Sequence, residues 1–283
     1  MKFCVPGNKK CKSIKIIAMS QKTYDEFSQD YDRFVNWQAR LSAELPFIEA
    51  QIATHKRDQA TPITVLDAAC GSGGHAIALA KNGYAVAGTD LSPGMITQAR
   101  KNAQKEGLTI DFQAAGFGTL QAHLNHSPLF PFNAIICLGN SLPHLLSTDE
   151  ISQALKDFYN CLKPGGVLIL QNRNFDAVMA KKERWIGPQA RRIDDEEWLF
   201  LRFYDFDPDG LITFNIVRLH RQGGGDWQQH ISVTRLYPLL YRDLIERLSQ
   251  AGFGDVNAFG LMDHVPFDPA HSENLVIAAR KSA

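Results

Sequence analysis

The chain has 283 residues, 45% hydrophobic and 21% charged, ordinary values for a globular protein of one large domain or one domain with a small companion. With 30 Lys and Arg against 30 Asp and Glu the formal net charge is +0, so the overall basic footprint of a nucleic-acid binder is missing, a local patch aside. No apolar run of about 18 residues offers a transmembrane helix, and the 5 cysteines, without C-x-x-C spacing, argue against a disulfide framework or zinc site and for a reducing, cytoplasmic setting.

Residues 1–22 read as a disordered leader. Lys2, Lys9, Lys10, Lys12 and Lys15 make it basic, the apolar stretch of a signal peptide is missing, and Met19 is a second possible start. Residues 23–58 read as an N-terminal helical lid. Over 24–52, Tyr31, Phe34, Val35, Trp37, Leu41, Leu45 and Ile48 recur at helical spacing, with Pro46 marking a break. Tyr24 and Tyr31 are candidates for a ligand pocket, with plain packing as the alternative.

A buried strand over 64–67 then runs into a glycine-rich turn and a helix over 75–82. A second strand, 85–90, ends in Asp90. Ser92 and Pro93 suit the N-cap and first turn of a helix over 94–106, where Met95 either packs in the core or lies on a ligand's aromatic face. A short strand over 110–113 precedes Gly116 and Phe117, both expected at the cofactor. A buried strand over 132–138, an amphipathic helix over 149–161, the turn Lys163-Pro164-Gly165-Gly166 and a buried strand over 167–171 complete the alternation. Strand alternating with helix predicts an α/β fold, a Rossmann-like, mostly parallel sheet with helices on both faces.

Residues 176–238 change character. Segments 198–206, 211–220 and 230–237 alternate and are rich in β-branched and aromatic residues, and Asp/Gly-rich turns separate them. They predict an antiparallel meander inserted into a core formed by 59–175 and 239–283. A helix over 241–251 and strands over 256–259 and 275–280, as an antiparallel hairpin, close the core.

In such a sheet ligands bind at the carboxyl ends of the strands. Asp67, Asp90, Gly116, Leu138 and Asn172 all fall at such ends. The turn after Asp67 departs from G-x-G-x-x-G: it has no third glycine at that spacing, and the Asp67 carboxylate would repel a pyrophosphate. It suits a cationic ligand instead, which points to the sulfonium and α-amino group of S-adenosylmethionine. Asp90, about 20 residues beyond the turn, is placed to accept hydrogen bonds from a ribose.

Asp67-Ala-Ala-Cys-Gly-Ser-Gly73, Thr89-Asp90-Leu-Ser-Pro-Gly-Met95 and Leu162-Lys-Pro-Gly-Gly166 together resemble the class I S-adenosylmethionine-dependent methyltransferases, over roughly residues 24–281. Cys137-Leu-Gly-Asn-Ser141, His144-Leu145 and Asn172-Arg-Asn-Phe-Asp176 further resemble the glycine/sarcosine N-methyltransferase group. The resemblance implies that Ala69, Gly71 and Gly73 line the methionine part of the cofactor, that Asp90 holds the ribose with Leu91 against the adenine, and that Leu138 faces the amino group through its carbonyl. It implies that Asn140 and Arg173 contact the substrate, Arg173 as a guanidinium fork for a carboxylate. Two positions depart from the pattern: Gly116 stands where the family often has an acid for the adenine amino group, and Asn133 where an aspartate is common.

The expected activity is methyl transfer from S-adenosylmethionine to a small molecule, a compact amine or amino acid, by in-line displacement driven by proximity and orientation. Asn140, His144 and Arg173 are the polar groups expected near the methyl, with Tyr237 and His230 on the pocket wall. Two rivals stand beside it: an O-methyltransferase with His144 as general base, and a cofactor-binding regulatory protein without catalysis. His144 has a structural alternative, and Arg173 has another in an ion pair with Asp176 or Asp205. No H-x-x-x-H spacing points to a metal. The partner expected is the methyl acceptor alone, without nucleic acid or membrane; monomer and homo-oligomer are both open.

Overall fold

The computed structural model describes residues 17–18, 35–53 and 62–282. Tyr24, Tyr31 and the leader lie outside them, apart from a short strand β1 (Ile17–Ala18). The main sheet has seven strands in the order β11-β12-β6-β5-β2-β3-β4. These are β2 (Thr64–Ala68), β3 (Ala85–Asp90), β4 (Asp111–Ala114), β5 (Phe132–Cys137), β6 (Leu162–Arg173), β11 (Phe253–Phe259) and β12 (Asn274–Lys281). Pairing is parallel from β6 to β4 and antiparallel at β12 and β11, so the closing hairpin stands as expected. Every residue of β2 is buried, as is nearly all of β5, which is why their sequences are continuous apolar runs.

Helices cover both faces. On one lie α1 (Trp37–Ala53), α2 (Gly74–Lys81) and α3 (Pro93–Lys105); their core includes Phe47, Ile48, Ile52, Leu79 and Ala99 against Val65, Ile136 and Ile169. On the other lie α4 (Leu120–Leu124), α5 (Thr148–Cys161) and α7 (Tyr241–Ala251), which pack Leu155, Phe158, Leu244 and Leu248 against Leu66, Ile135 and Leu168. Ser92 caps α3, its hydroxyl accepting from Met95 N–H at 3.1 Å. A reciprocal capping box of Ser147 and Glu150 starts α5.

Two local expectations are corrected. Helix α1 continues through Pro46 rather than breaking there, because the turns beyond it bury Phe47, Ile48 and Ile52, and that packing outweighs one lost backbone bond. Lys163–Gly166 does not end a turn before a new strand. Strand β6 passes through it, and the partner of β5 jumps from Leu162 to Val167, so Pro164-Gly165-Gly166 forms an irregularity inside the ladder.

The second sheet has order β1-β10-β9-β8-β7, with β7 (Trp185–Ile193), β8 (Glu196–Phe206), β9 (Ile212–Gln222) and β10 (Gln228–Leu236) antiparallel in succession. The three expected strands are present. A fourth, β7, joins them at the edge, and helix α6 (Phe175–Lys181) leads in from β6. Phe175, Val178, Tyr204, Ile212 and Leu236 form a separate small core beneath this sheet.

Candidate functional site

Strands β2, β3 and β5 end together, and each continues into a tight loop. After β2, Ala69 takes φ 67, and Gly71 and Gly73 follow at φ 54 and 86. A side chain at Gly73 would put its Cβ 3.0 Å from Phe112 Cζ and 3.1 Å from Ala99 Cβ, so this glycine lets α3 close on the turn. After β5, Asn140 takes φ 63. Left-handed backbone at an alanine and an asparagine, both at sheet ends, is strain of the kind that concentrates at ligand sites.

Hydrogen bonds lock the loops to one another. Asp90 Oδ2 accepts from Gly71 N–H at 2.9 Å, and Oδ1 accepts from Ser92 N–H at 2.9 Å. A carboxylate held in this way at the end of β3 suits ribose hydroxyls. Beside the β5 loop, Gly139 N–H donates to Gln171 Oε1 at 2.7 Å and Asn140 N–H to Gln171 O at 3.1 Å. Asn140 Oδ1 accepts from Arg173 N–H at 2.9 Å, and the Ser141 hydroxyl donates to Leu138 O at 2.8 Å.

Asp67 sits beneath the glycine turn at 2% exposure, and its Oδ2 has no hydrogen-bond partner among the described residues. Burial pushes its carboxyl up to about 6, against the opposing pull of His75, the Ala76 N–H and Arg40. A buried carboxylate with an unpaired oxygen fits a cationic group of a ligand, as S-adenosylmethionine provides. Leu91 is 61% exposed, and its Cδ1 lies 3.1 Å from where a Cβ on Gly116 would be, so an open apolar surface meets a bare backbone. That surface fits a flat ring.

Helix α1 brings Arg40 and Glu44, neither singled out by the sequence, beside Trp37, which the helical spacing had marked. Trp37 stacks edge-on against His75, with ring centroids 5.5 Å apart, and a Cβ at Gly74 would overlap the indole. Arg40 lies near Gly139 and over Trp37, 5.6 Å from the ring centroid, and bonds Glu44 at 3.1 Å. Glu44 in turn accepts from His75 Nε2 at 2.6 Å. Beside them a cleft of about 450 Å³ is lined by Val35, Asn36, Ala39, Arg40, Gln189 and Arg202, between α1 and the second sheet. The signal for these residues is the polar i, i+4 pair Arg40 and Glu44, which an apolar-periodicity reading sets aside.

The other expected residues are placed as follows. Arg173 pairs with Glu273 at 2.8 Å, whereas Asp176 accepts from Tyr241 N–H and Asp205 pairs with Arg184. The expected ion pair of Arg173 with Asp176 or Asp205 is thus corrected to Glu273. Arg173 and Arg202 stand close enough for each to act on the Tyr204 hydroxyl, and Arg173 also disfavours the charge on Arg202. His144 lies at the second sheet, its Nδ1 3.4 Å from the Thr234 hydroxyl, and burial pushes its pKa down to about 4. Tyr237 N–H donates to Pro143 O beside it at 2.8 Å. Met95 is buried in the first turn of α3, and Phe117 packs edge-on against Phe158 in the core. Asn133 serves the sheet: Oδ1 accepts from Thr64 N–H and Oγ1–H, both at 2.9 Å, and from Lys163 Nζ at 3.0 Å.

A family model described as a methyltransferase domain matches residues 65–166. The glycine/sarcosine N-methyltransferase of Aphanothece halophytica is 35% identical over 247 residues, which cover 85% of this chain and 83% of that protein. The glycine/sarcosine N-methyltransferase of Parasynechococcus marenigrum (strain WH8102) is 30% identical over 244 residues, 85% of this chain and 78% of that one. Among solved structures, an S-adenosylmethionine-dependent methyltransferase from Clostridium acetobutylicum ATCC 824 superposes with a TM-score of 0.71 at 17% identity, covering 92% of this chain and 100% of its own.

Proposed function

On the premise that this chain belongs to the class I S-adenosylmethionine-dependent methyltransferases and acts on a small molecule, we propose that it N-methylates a compact amine bearing a carboxylate, of the glycine or sarcosine kind. S-adenosylmethionine, when bound, supplies an electrophilic methyl group on a sulfonium. The chain's own part is to hold and orient. Asp67 receives the cationic amino group, Arg40 the carboxylate of the same ligand, Asp90 the ribose, and Leu91 with the Gly116 backbone the adenine; Ala69, Gly71, Gly73 and the Leu138 carbonyl line the space between.

The observation that carries N- over O-transfer is the likeness, over 85% of the chain, to two glycine/sarcosine N-methyltransferases. His144 lies beside the Thr234 hydroxyl, and burial lowers its pKa, which makes it a weaker general base for a hydroxyl group. A free amine needs no such base. Arg173, which gives one N–H to Glu273, keeps other donors of its fork for an acceptor carboxylate, and Arg202, within electrostatic range of it, lines the cleft together with Arg40. Asn140 is placed to orient the acceptor. The second sheet, with Tyr237, is then the acceptor side of the enzyme, and residues 59–175 with 239–283 are the cofactor side.

The test is a methyl-transfer assay over glycine, sarcosine, other amines and phenols, read as S-adenosylhomocysteine released. Turnover of carboxylate-bearing amines is expected. Turnover confined to phenols would overturn the reading. In the Arg173→Ala variant, KM for the carboxylate acceptor is expected to rise at least about tenfold, the scale of a lost charge-assisted bond, with KM for the cofactor unchanged.

A further inference from the structure

We infer that His75 is a positioning residue for the cofactor site: through Glu44 it fixes the guanidinium of Arg40 beside Gly139 in the loop after β5, and it thereby sets affinity for the carboxylate end of the ligand. This rests on the reading of Arg40 given above and goes beyond it in assigning roles to His75 and Glu44.

The contacts form a closed chain. His75 opens α2 directly after the turn and is 5% exposed. Its Nε2–H donates to Glu44 Oε2 at 2.6 Å, a charge-assisted bond in a shielded place. The same Glu44 carboxylate accepts from Arg40 Nε, with 3.1 Å to each oxygen. Trp37 closes the loop by touching both ends, edge-on to His75 and beneath the Arg40 guanidinium. One side chain of the turn thus specifies where a cation on α1 points, although the two lie more than thirty positions apart in the sequence.

Without His75, Glu44 and Arg40 would still pair as neighbours on one helix face, as exposed i, i+4 pairs do. They would no longer be tied to the turn. The loss therefore falls on the ligand's carboxylate and leaves adenine and ribose contacts in place.

Two ligands separate this from general loosening. S-adenosylhomocysteine carries the amino-acid end; 5′-methylthioadenosine shares the nucleoside and thioether but lacks it. Calorimetry is run on wild type, His75→Ala, His75→Gln, Glu44→Gln and Arg40→Ala. His75→Ala is expected to weaken S-adenosylhomocysteine about tenfold, the scale of one charge-assisted hydrogen bond, and to leave methylthioadenosine within about twofold. His75→Gln, whose amide reaches Glu44 from the same distance, is expected to restore most of the affinity. Added to Arg40→Ala, His75→Ala is expected to cause little further loss. In turnover, KM for S-adenosylmethionine rises while kcat at saturation holds. Equal loss for both ligands, failure of the Gln rescue, or full additivity with Arg40→Ala would each overturn the inference. A wild-type chain that binds neither ligand overturns the reading on which it rests.

Discussion

Asp67 concentrates the electrostatics of the site in one atom. Its carboxyl is raised to about 6 from a usual 3.8 because burial disfavours the charge. A raised folded-state value means a contribution to stability that is full below the unfolded value and is lost as pH rises through about 6; by linkage the charged form then costs about 3 kcal/mol. A cationic ligand relieves that cost. Affinity for S-adenosylhomocysteine, with its ammonium, is therefore expected to increase between pH 5 and 7 by roughly tenfold per unit at the steepest, as calorimetry in matched buffers reads. Asp67→Asn should flatten this profile and weaken binding at pH 7.5, while the ligand-free variant melts no lower than wild type at that pH. The sign is opposite at His144. There the folded value is depressed to about 4 from 6.5, so stability is complete above 6.5, falls as pH drops from there to about 4, and levels off below it. Thermal unfolding of His144→Gln should lose less on going from pH 7 to 4.5 than wild type does, by about 2 kcal/mol.

At the scale of elements, the contact that matters is α1 on the turn before α2. Gly74 has no Cβ because Trp37 occupies that space. Gly74→Ala is expected to cost about 1–3 kcal/mol as overpacking and to weaken S-adenosylhomocysteine binding. Gly74→Ala combined with Trp37→Ala should recover part of the stability, so that a double-mutant cycle by chemical denaturation gives a coupling above about 0.5 kcal/mol. The α5 cap, by contrast, touches no ligand. Ser147→Ala should cost about 1 kcal/mol of stability with cofactor affinity unchanged. Reading these elements from the sequence worked where burial wrote a pattern. The wholly buried β2, the glycine turn, the acid ending β3 and the Ser92 cap each have a local signature. Strand β7 had none: it is an edge strand, exposed along most of its length and interrupted by Gly187 and Pro188, so no alternation marked it.

For the whole molecule, the same distinction separates what a sequence carries from what folding adds. The parallel order of the main sheet follows from strand–helix alternation, and the motif residues fall at its strand ends because those ends are where such sheets gather their loops. The partners of those residues were not legible. His75 with Glu44, Arg173 with Glu273 and Asn133 with Thr64 join positions far apart in the chain, and nothing local to either member of a pair names the other. The cleft between α1 and the second sheet belongs to the same class, since no stretch of sequence contains both of its walls.

Strand β12 is the last of the main-sheet strands in chain order, yet it lies inside the sheet, between β11 and β6. While the chain is still being synthesised, β6 has no neighbour on that side, and its Leu168, Ile169 and Leu170 border an unpaired edge of hydrogen-bonding groups. Only the arrival of Leu275, Val276 and Ile277 seals it. A nascent chain stopped short of residue 274 is therefore expected to aggregate through β6 or be retained by chaperones, which ribosome-stalled intermediates probed by limited proteolysis will show.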